Sequence, residues 1–200
     1  MTAVIDYGMG NLFSVKNALD YIGAQAEITR DPARLRSADS LILPGVGAFP
    51  DAMRELGRAG LTDVIKEEAG RKPLLGICLG MQMLFEKSYE FTECEGLGLI
   101  PGKVDRLRAP GLKIPHMGWN SLKKTAECPL LSGVPEGCYV YFVHSYMAYT
   151  QPEYIAAVAD YGGDVTALVQ RGNVFGSQFH PEKSGAPGLE MLRNFVSVAE

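Results

Sequence analysis

Cys78 stands in the run Gly76-Ile77-Cys78-Leu79-Gly80, between an apolar stretch and a helix-like one. Glycines two positions away on either side suit a turn too sharp for side chains at those places. A nucleophile on such a strand-to-helix elbow is lifted clear of the sheet, and sulfur takes here the place a serine oxygen takes elsewhere. Unpaired backbone N–H groups at a helix start favour an anion there. A cysteine nucleophile also needs a base, and the base needs an orienting group. Of the three histidines, His180 follows an apolar run and precedes Pro181 and Glu182. Pro181 removes a ladder donor and ends the strand. Glu182 is close enough to take the imidazole N–H that faces away from sulfur. The expected chemistry is attack on a carbonyl by Cys78, with His180 as general acid/base and Glu182 as its orienter.

Acyl transfer also requires donors for the developing oxyanion. The N–H of Leu79, next to the nucleophile, is one candidate. The glycine-rich segment Pro44-Gly45-Val46-Gly47 can turn in a second, from Val46 or Gly47. A different segment, Gly8-Met9-Gly10 through Phe13, mimics a dinucleotide fingerprint. Phe13 occupies the third small position, so a tight strand-to-helix turn is the expected reading.

The elements that must position these residues alternate in the first half. Ala3 to Tyr7 reads as a strand, Leu12, Val15, Leu19 and Ile22 fall on one helical face, and Gly23 stops that helix. Strands are expected at Ala24 to Thr29 and Ser40 to Leu43, helices around Ala52 to Leu56 and Leu61 to Ala69. Pro73 to Ile77 forms the strand before Cys78, and Met81 to Glu86 the first turns of a helix. Alternation of this kind implies a parallel sheet covered on both faces. The second half carries strand-like runs at Tyr139 to Val143, Ile155 to Asp160, Val165 to Gln170 and Val174 to Phe179. Close turns between them favour antiparallel pairing. A last helix over Gly188 to Val198 puts Leu189, Leu192, Phe195 and Val196 on one face. The expected fold class is α/β, three-layered, with a mostly parallel central sheet, an antiparallel extension and helices on both faces. One domain over residues 1–200 is expected, since two hundred residues suffice for one well-buried core.

A net charge of −4 gives no electrostatic case for nucleic acid or membrane. No apolar stretch approaches the ~18–20 residues of a membrane span, and Asp6 interrupts the N-terminal apolar run too early for a signal-peptide core. A cytoplasmic location is expected. The four cysteines form no Cys-x-x-Cys pair and no zinc spacing, so free thiols and no metal are expected.

The elbow with Phe179-His180-Pro181-Glu182 resembles the class I (triad) glutamine amidotransferases. The likeness spans the whole chain and tightens at Ile5 to Asn11, Leu43 to Gly47, Ile114 to Asn120 and Tyr141 to Tyr146. The resemblance implies hydrolysis of L-glutamine without a cofactor. It implies that Gln82 and the backbone near Gly47 hold the glutamine, while Val143, Ser145 and Tyr146 bind its amino and carboxylate ends. It also implies a heterodimer with a (β/α)8-barrel cyclase that uses the ammonia. Asn11, His116, Met117, Gly118, Trp119 and Lys183 are expected to face that partner. From its own setting, Trp119 reads equally as an interface residue or as a core anchor for its loop. His144 alternates with Phe142, which suits a satisfied core histidine better than a second base.

Overall fold

The computed structural model describes residues 1–199. The first half runs β1 (Thr2–Ile5), α1 (Leu12–Tyr21), β2 (Ala26–Thr29), α2 (Pro32–Ser37), β3 (Ser40–Gly45), α3 (Phe49–Arg58), α4 (Thr62–Ala69), β4 (Leu74–Cys78) and α5 (Leu79–Met83). There follow β5 (Phe85–Ser88), β6 (Cys94–Glu95), β7 (Ile100–Arg106), β8 (His116–Ser121), β9 (Lys123–Lys124), β10 (Tyr139–His144) and β11 (Tyr146–Tyr149). The chain ends with β12 (Ile155–Asp160), β13 (Asp164–Arg171), β14 (Val174–Ser177) and α6 (Gly185–Val198).

The main sheet has the order β2-β1-β3-β4-β14-β13-β12-β9. Its first five strands are parallel and the rest antiparallel. β14 is the join, parallel to β4 and antiparallel to β13. The strand sequences explain the two-sided burial. Ala3, Ile5, Leu41, Leu43 and Leu74 pack one way, against Leu35, Leu56 and Ile65 of α2, α3 and α4. Val4, Ile42, Leu75 and Ile77 pack the other way, against Val15 and Leu19 of α1 and Leu192 and Phe195 of α6. Strands with apolar residues on both faces need a helical layer on each side. No described helix is long and apolar enough to cross a membrane.

Two expectations require correction. The helix after Cys78 ends at Met83, and Phe85 opens β5 instead of continuing it. The apolar residues Met83, Leu84 and Phe85 suit either element; pairing of β5 with β7 and β6 decides for the strand. β5, β6, β7 and β11 form a second sheet that the sequence pattern does not reveal. β10 does not extend the main sheet either. It pairs antiparallel with β8 as a separate ribbon, Tyr141 opposite Trp119 and His144 opposite His116. The ribbon's inner face carries Phe142, His116 and His144, all buried. That burial against the α6 side of the sheet outweighs edge pairing.

Candidate active site

The site lies at the C-terminal ends of β3, β4 and β14, where open α/β sheets build binding crevices. Register sets Gly45 beside Cys78 and Ser177 beside Ile77, so three chain segments emerge at one level. Cys78 has φ 56° and ψ −112°. A non-glycine residue there carries on the order of 1–3 kcal/mol of strain, which the surrounding packing must hold. The packing is close. A Cβ on Gly80 would sit 1.8 Å from Leu43 O, and one on Gly76 2.6 Å from Gly80 O. Both flanking glycines are therefore required by backbone contact, as the spacing implies.

His180 starts the turn that follows β14, and its N–H donates to Tyr141 O at 3.0 Å. Its Nδ1–H donates to Glu182 Oε1 at 2.8 Å, and the ring lines the same cleft as Cys78. Burial by itself would lower the His180 pKa. The influence of the neighbouring Cys78 and the hydrogen bond to the Glu182 carboxylate outweigh it and raise the value to about 9. Glu182 lies buried behind the ring, and its Oε2 has no protein partner among the described residues. Ser184 Oγ ties this turn to the ribbon, donating to His180 O at 2.6 Å and accepting from Tyr141 N at 3.0 Å.

These groups open onto a cleft of about 350 Å³ lined by Val46, Gly47, Cys78, Leu79, Gln82, Glu90, Pro115, Val143, His144, Ser145, Tyr146 and His180. The volume suits a ligand of amino-acid size, at the small end of ordinary pockets (~300–1,000 Å³). Every residue expected to hold the oxyanion or the glutamine lines it. The N–H groups of Val46 and Gly47 donate to no protein acceptor among the described residues. Gly47 has φ 96°, a left-handed conformation open to glycine.

Four residues escape the sequence reasoning. Glu90 is the carboxylate on the cleft wall; it accepts from Phe49 N at 2.7 Å, and burial raises its pKa. Gln178 is fully buried beneath the cleft, its Nε2 3.9 Å from Cys78 Sγ. Tyr7 donates to Pro44 O at 3.0 Å and props the glycine-rich loop; burial and the nearby Cys78 raise its pKa. His144, read from spacing as a core histidine, is hydrogen-bonded and also lines the cleft. The Gln178-Phe179 step before His180 is the one available signal, a polar residue just past the end of β14. Glu90 and Tyr7 depend on long-range packing alone.

The residues expected at a partner surface separate. Met117 and Trp119 are 61% and 55% exposed and Lys183 is exposed, while Asn11 and Gly118 are half-buried. His116 is a correction: it is 2% exposed, because alternation along β8 turns it inward while Met117 and Trp119 turn out.

The glutamine amidotransferase class-I family model matches residues 3–199. The imidazole glycerol phosphate synthase subunit HisH of Bacillus cereus is 54% identical over 201 residues, covering 100% of this chain and 96% of that protein. A solved glutamine amidotransferase superposes with a TM-score of 0.78 at 23% identity, over 98% of each chain. PurLQS from Thermotoga maritima superposes with a TM-score of 0.77 at 22% identity, over 100% of this chain and 98% of that one. At such identities the two structures speak to the fold alone. With a family match over nearly its whole length and a relative more than half identical, the chain belongs to the class-I glutamine amidotransferases.

Proposed function

We propose that this chain is the glutaminase subunit of an imidazole glycerol phosphate synthase. It hydrolyses L-glutamine to glutamate and passes the ammonia to a (β/α)8-barrel cyclase in the cytoplasm. There the ammonia serves synthesis of imidazole glycerol phosphate and aminoimidazole carboxamide ribotide on the route to histidine. The observation that carries the chemistry is Cys78 on a positive-φ elbow, sharing one cleft with a His180 that Glu182 orients. The full-length identity to HisH supports the acceptor.

The glutamine side-chain carbonyl receives the Cys78 sulfur. Leu79 N–H and an N–H from Val46 or Gly47 hold the tetrahedral oxygen. His180, charged below about pH 9, gives its proton to the leaving nitrogen. Water activated by the neutral ring then hydrolyses the thioester. Glu90 is the acidic group for the α-ammonium, and Ser145 and Tyr146 border the carboxylate end. Gln82, which lines the cleft, is assigned to the substrate amide. Ammonia protonated in bulk solvent is no nucleophile, so direct transfer to a docked partner exploits proximity. The exposed Met117, Trp119 and Lys183, with Asn11 and Gly118, form the surface offered to it. An oxyanion loop left incomplete in the isolated subunit would hold back wasteful hydrolysis, and one missing donor costs roughly 10²–10³ in rate.

The test is Cys78→Ala in the assembled synthase. Glutamine-dependent synthesis should vanish while ammonia-dependent synthesis continues. Loss of both would make Cys78 a structural residue of the complex.

A further inference from the structure

One wall of the cleft is built on a buried pair of imidazoles that the chemistry above leaves unused. His116 Nδ1 and His144 Nε2 are 2.9 Å apart, and His144 Nδ1 is 2.9 Å from Tyr146 O. On the far side, Asn120 Nδ2 is 3.2 Å from His116 Nε2. Backbone groups fix the orientation of that amide, since Ser121 N donates to Asn120 Oδ1 and Asn120 Nδ2 donates to Asp160 O, both at 2.8 Å. The His116 ring is clamped between Phe142 and Tyr161, with centroids 4.6 and 4.0 Å away.

Only one arrangement of protons satisfies this chain. Tyr146 O can only accept, so His144 carries its hydrogen on Nδ1 and presents a bare Nε2. His116 must then donate from Nδ1, which leaves its Nε2 to accept from Asn120. An added proton on either ring would set two donors face to face. Burial acts in the same direction, lowering both rings to about 4. The titratable groups facing the pair are His180 and Cys78 across the cleft, Glu90 on its wall and the Tyr161 phenol, whose O–H points away to Lys113 O.

The chain continues inward. Tyr146 O also accepts from Gln82 Nε2 at 3.0 Å, and the same nitrogen donates to Gln178 Oε1 at 2.9 Å. Both Gln82 amide hydrogens are thereby used. Its Oε1 makes no protein hydrogen bond and is not sealed off, so it is the polar atom Gln82 turns to the cleft.

We infer that His116 and His144 form a tautomer-locked pair whose task is to hold the Tyr146 carbonyl and so fix the polarity of Gln82. His116 is then a positioning residue for glutamine turnover, although it does not line the cleft. The carbonyl held by the pair takes a Gln82 amide hydrogen and leaves Oε1 as an acceptor, matched to the NH2 of a carboxamide and mismatched to the carboxylate of the product. This inference rests on Cys78 being the nucleophile that receives the amide.

The test begins with ¹⁵N-histidine NMR of the full chain. Both rings should show the Nδ1–H neutral tautomer at pH 7 and still at pH 5. An Nε2–H tautomer, or titration near the ordinary histidine value, overturns the inference. In the assembled synthase, His116→Phe keeps the ring stack and removes both hydrogen bonds. Its glutamine-dependent kcat should fall by on the order of 10²-fold, as for other small displacements of a substrate-positioning group. His116→Asn, which keeps a donor near the Nδ1 position, should recover part of that loss. Wild-type kcat in His116→Phe, or no recovery in His116→Asn, would reduce the pair to core packing. Should His116→Phe fail to fold, the NMR and His116→Asn still decide the matter. Full glutaminase turnover in Cys78→Ala would instead overturn the nucleophile assignment and leave the tautomer result standing.

Discussion

The two walls of the cleft carry histidines buried to a similar degree and charged in opposite ways. On the wall made by the β4 elbow and the turn after β14, His180 is held between Cys78 and Glu182, and its pKa rises to about 9. On the ribbon wall, His116 and His144 face a carbonyl, an amide and each other, and both fall to about 4. Burial lowers all three. The difference lies in the partners: an anion stabilises the imidazolium, whereas a neutral dipole with a second ring stabilises only the uncharged form. One cleft thus holds a histidine whose proton is retained near neutrality and a pair that stays uncharged.

The largest break in this comparison comes from the charged side. His180→Ala should reduce glutamine turnover about 10⁴-fold or more, since it removes both proton transfers. Steady-state assay of the synthase checks this, with ammonia-dependent synthesis as the control for folding and docking. Glu182→Gln should cost less, on the order of 10²–10⁴-fold, because it orients without touching substrate. It also removes the carboxylate hydrogen-bonded to His180, so the alkaline limb of the kcat profile should move to lower pH than in the wild type. An unmoved limb would mean Glu182 does not set the charge of the ring.

The ribbon side is sharpened by acid. A ring lowered in the fold binds its proton less readily than in the unfolded chain. Between about pH 6.5 and 4 the unfolded state therefore takes up protons that the fold refuses, and stability drops as pH falls through that window. The slope should approach about 1.4 kcal/mol per pH unit for each such proton. His180 has the opposite sign: its contribution is complete below pH 6.5 and is lost as pH rises through about 9. Urea melts of the wild type from pH 8 to 4 should show the acid loss, and His116→Phe should flatten it. The smallest effect belongs to the ribbon's outer face. Trp119→Ala should change the stability of the isolated chain by no more than about 0.5 kcal/mol, because the side chain is mostly exposed. A larger change in the melt would show the indole anchoring the ribbon instead of facing a partner.

What could be read from the residues follows the distance over which each feature is decided. Gly76, Cys78 and Gly80 lie in one turn, so their spacing is legible; a side chain at Gly76 would meet Gly80 within that turn, while one at Gly80 would meet Leu43 of β3. His180, Pro181 and Glu182 are equally local, and the hydrogen bond between ring and carboxylate spans two residues. The alternating apolar strands announce a sheet covered on both faces. The short α5, the second sheet around β5 and β7, and the separate β8–β10 ribbon are settled by partners far away in the chain. Glu90 reaches the cleft only because it accepts from the first N–H of α3 across 41 positions, and Tyr7 only because it supports Pro44.

The sequence alone determined a cysteine on a glycine-flanked elbow, a histidine with its own carboxylate, and the two-sided sheet that carries them. These rest on turn sterics and residue periodicity, which act within a few positions. Tertiary structure decided which histidines bear charge, that His116 faces inward, and which atom Gln82 shows the cleft. Charge state and hydrogen-bond polarity depend on the neighbours that folding assembles, and a linear string does not contain them.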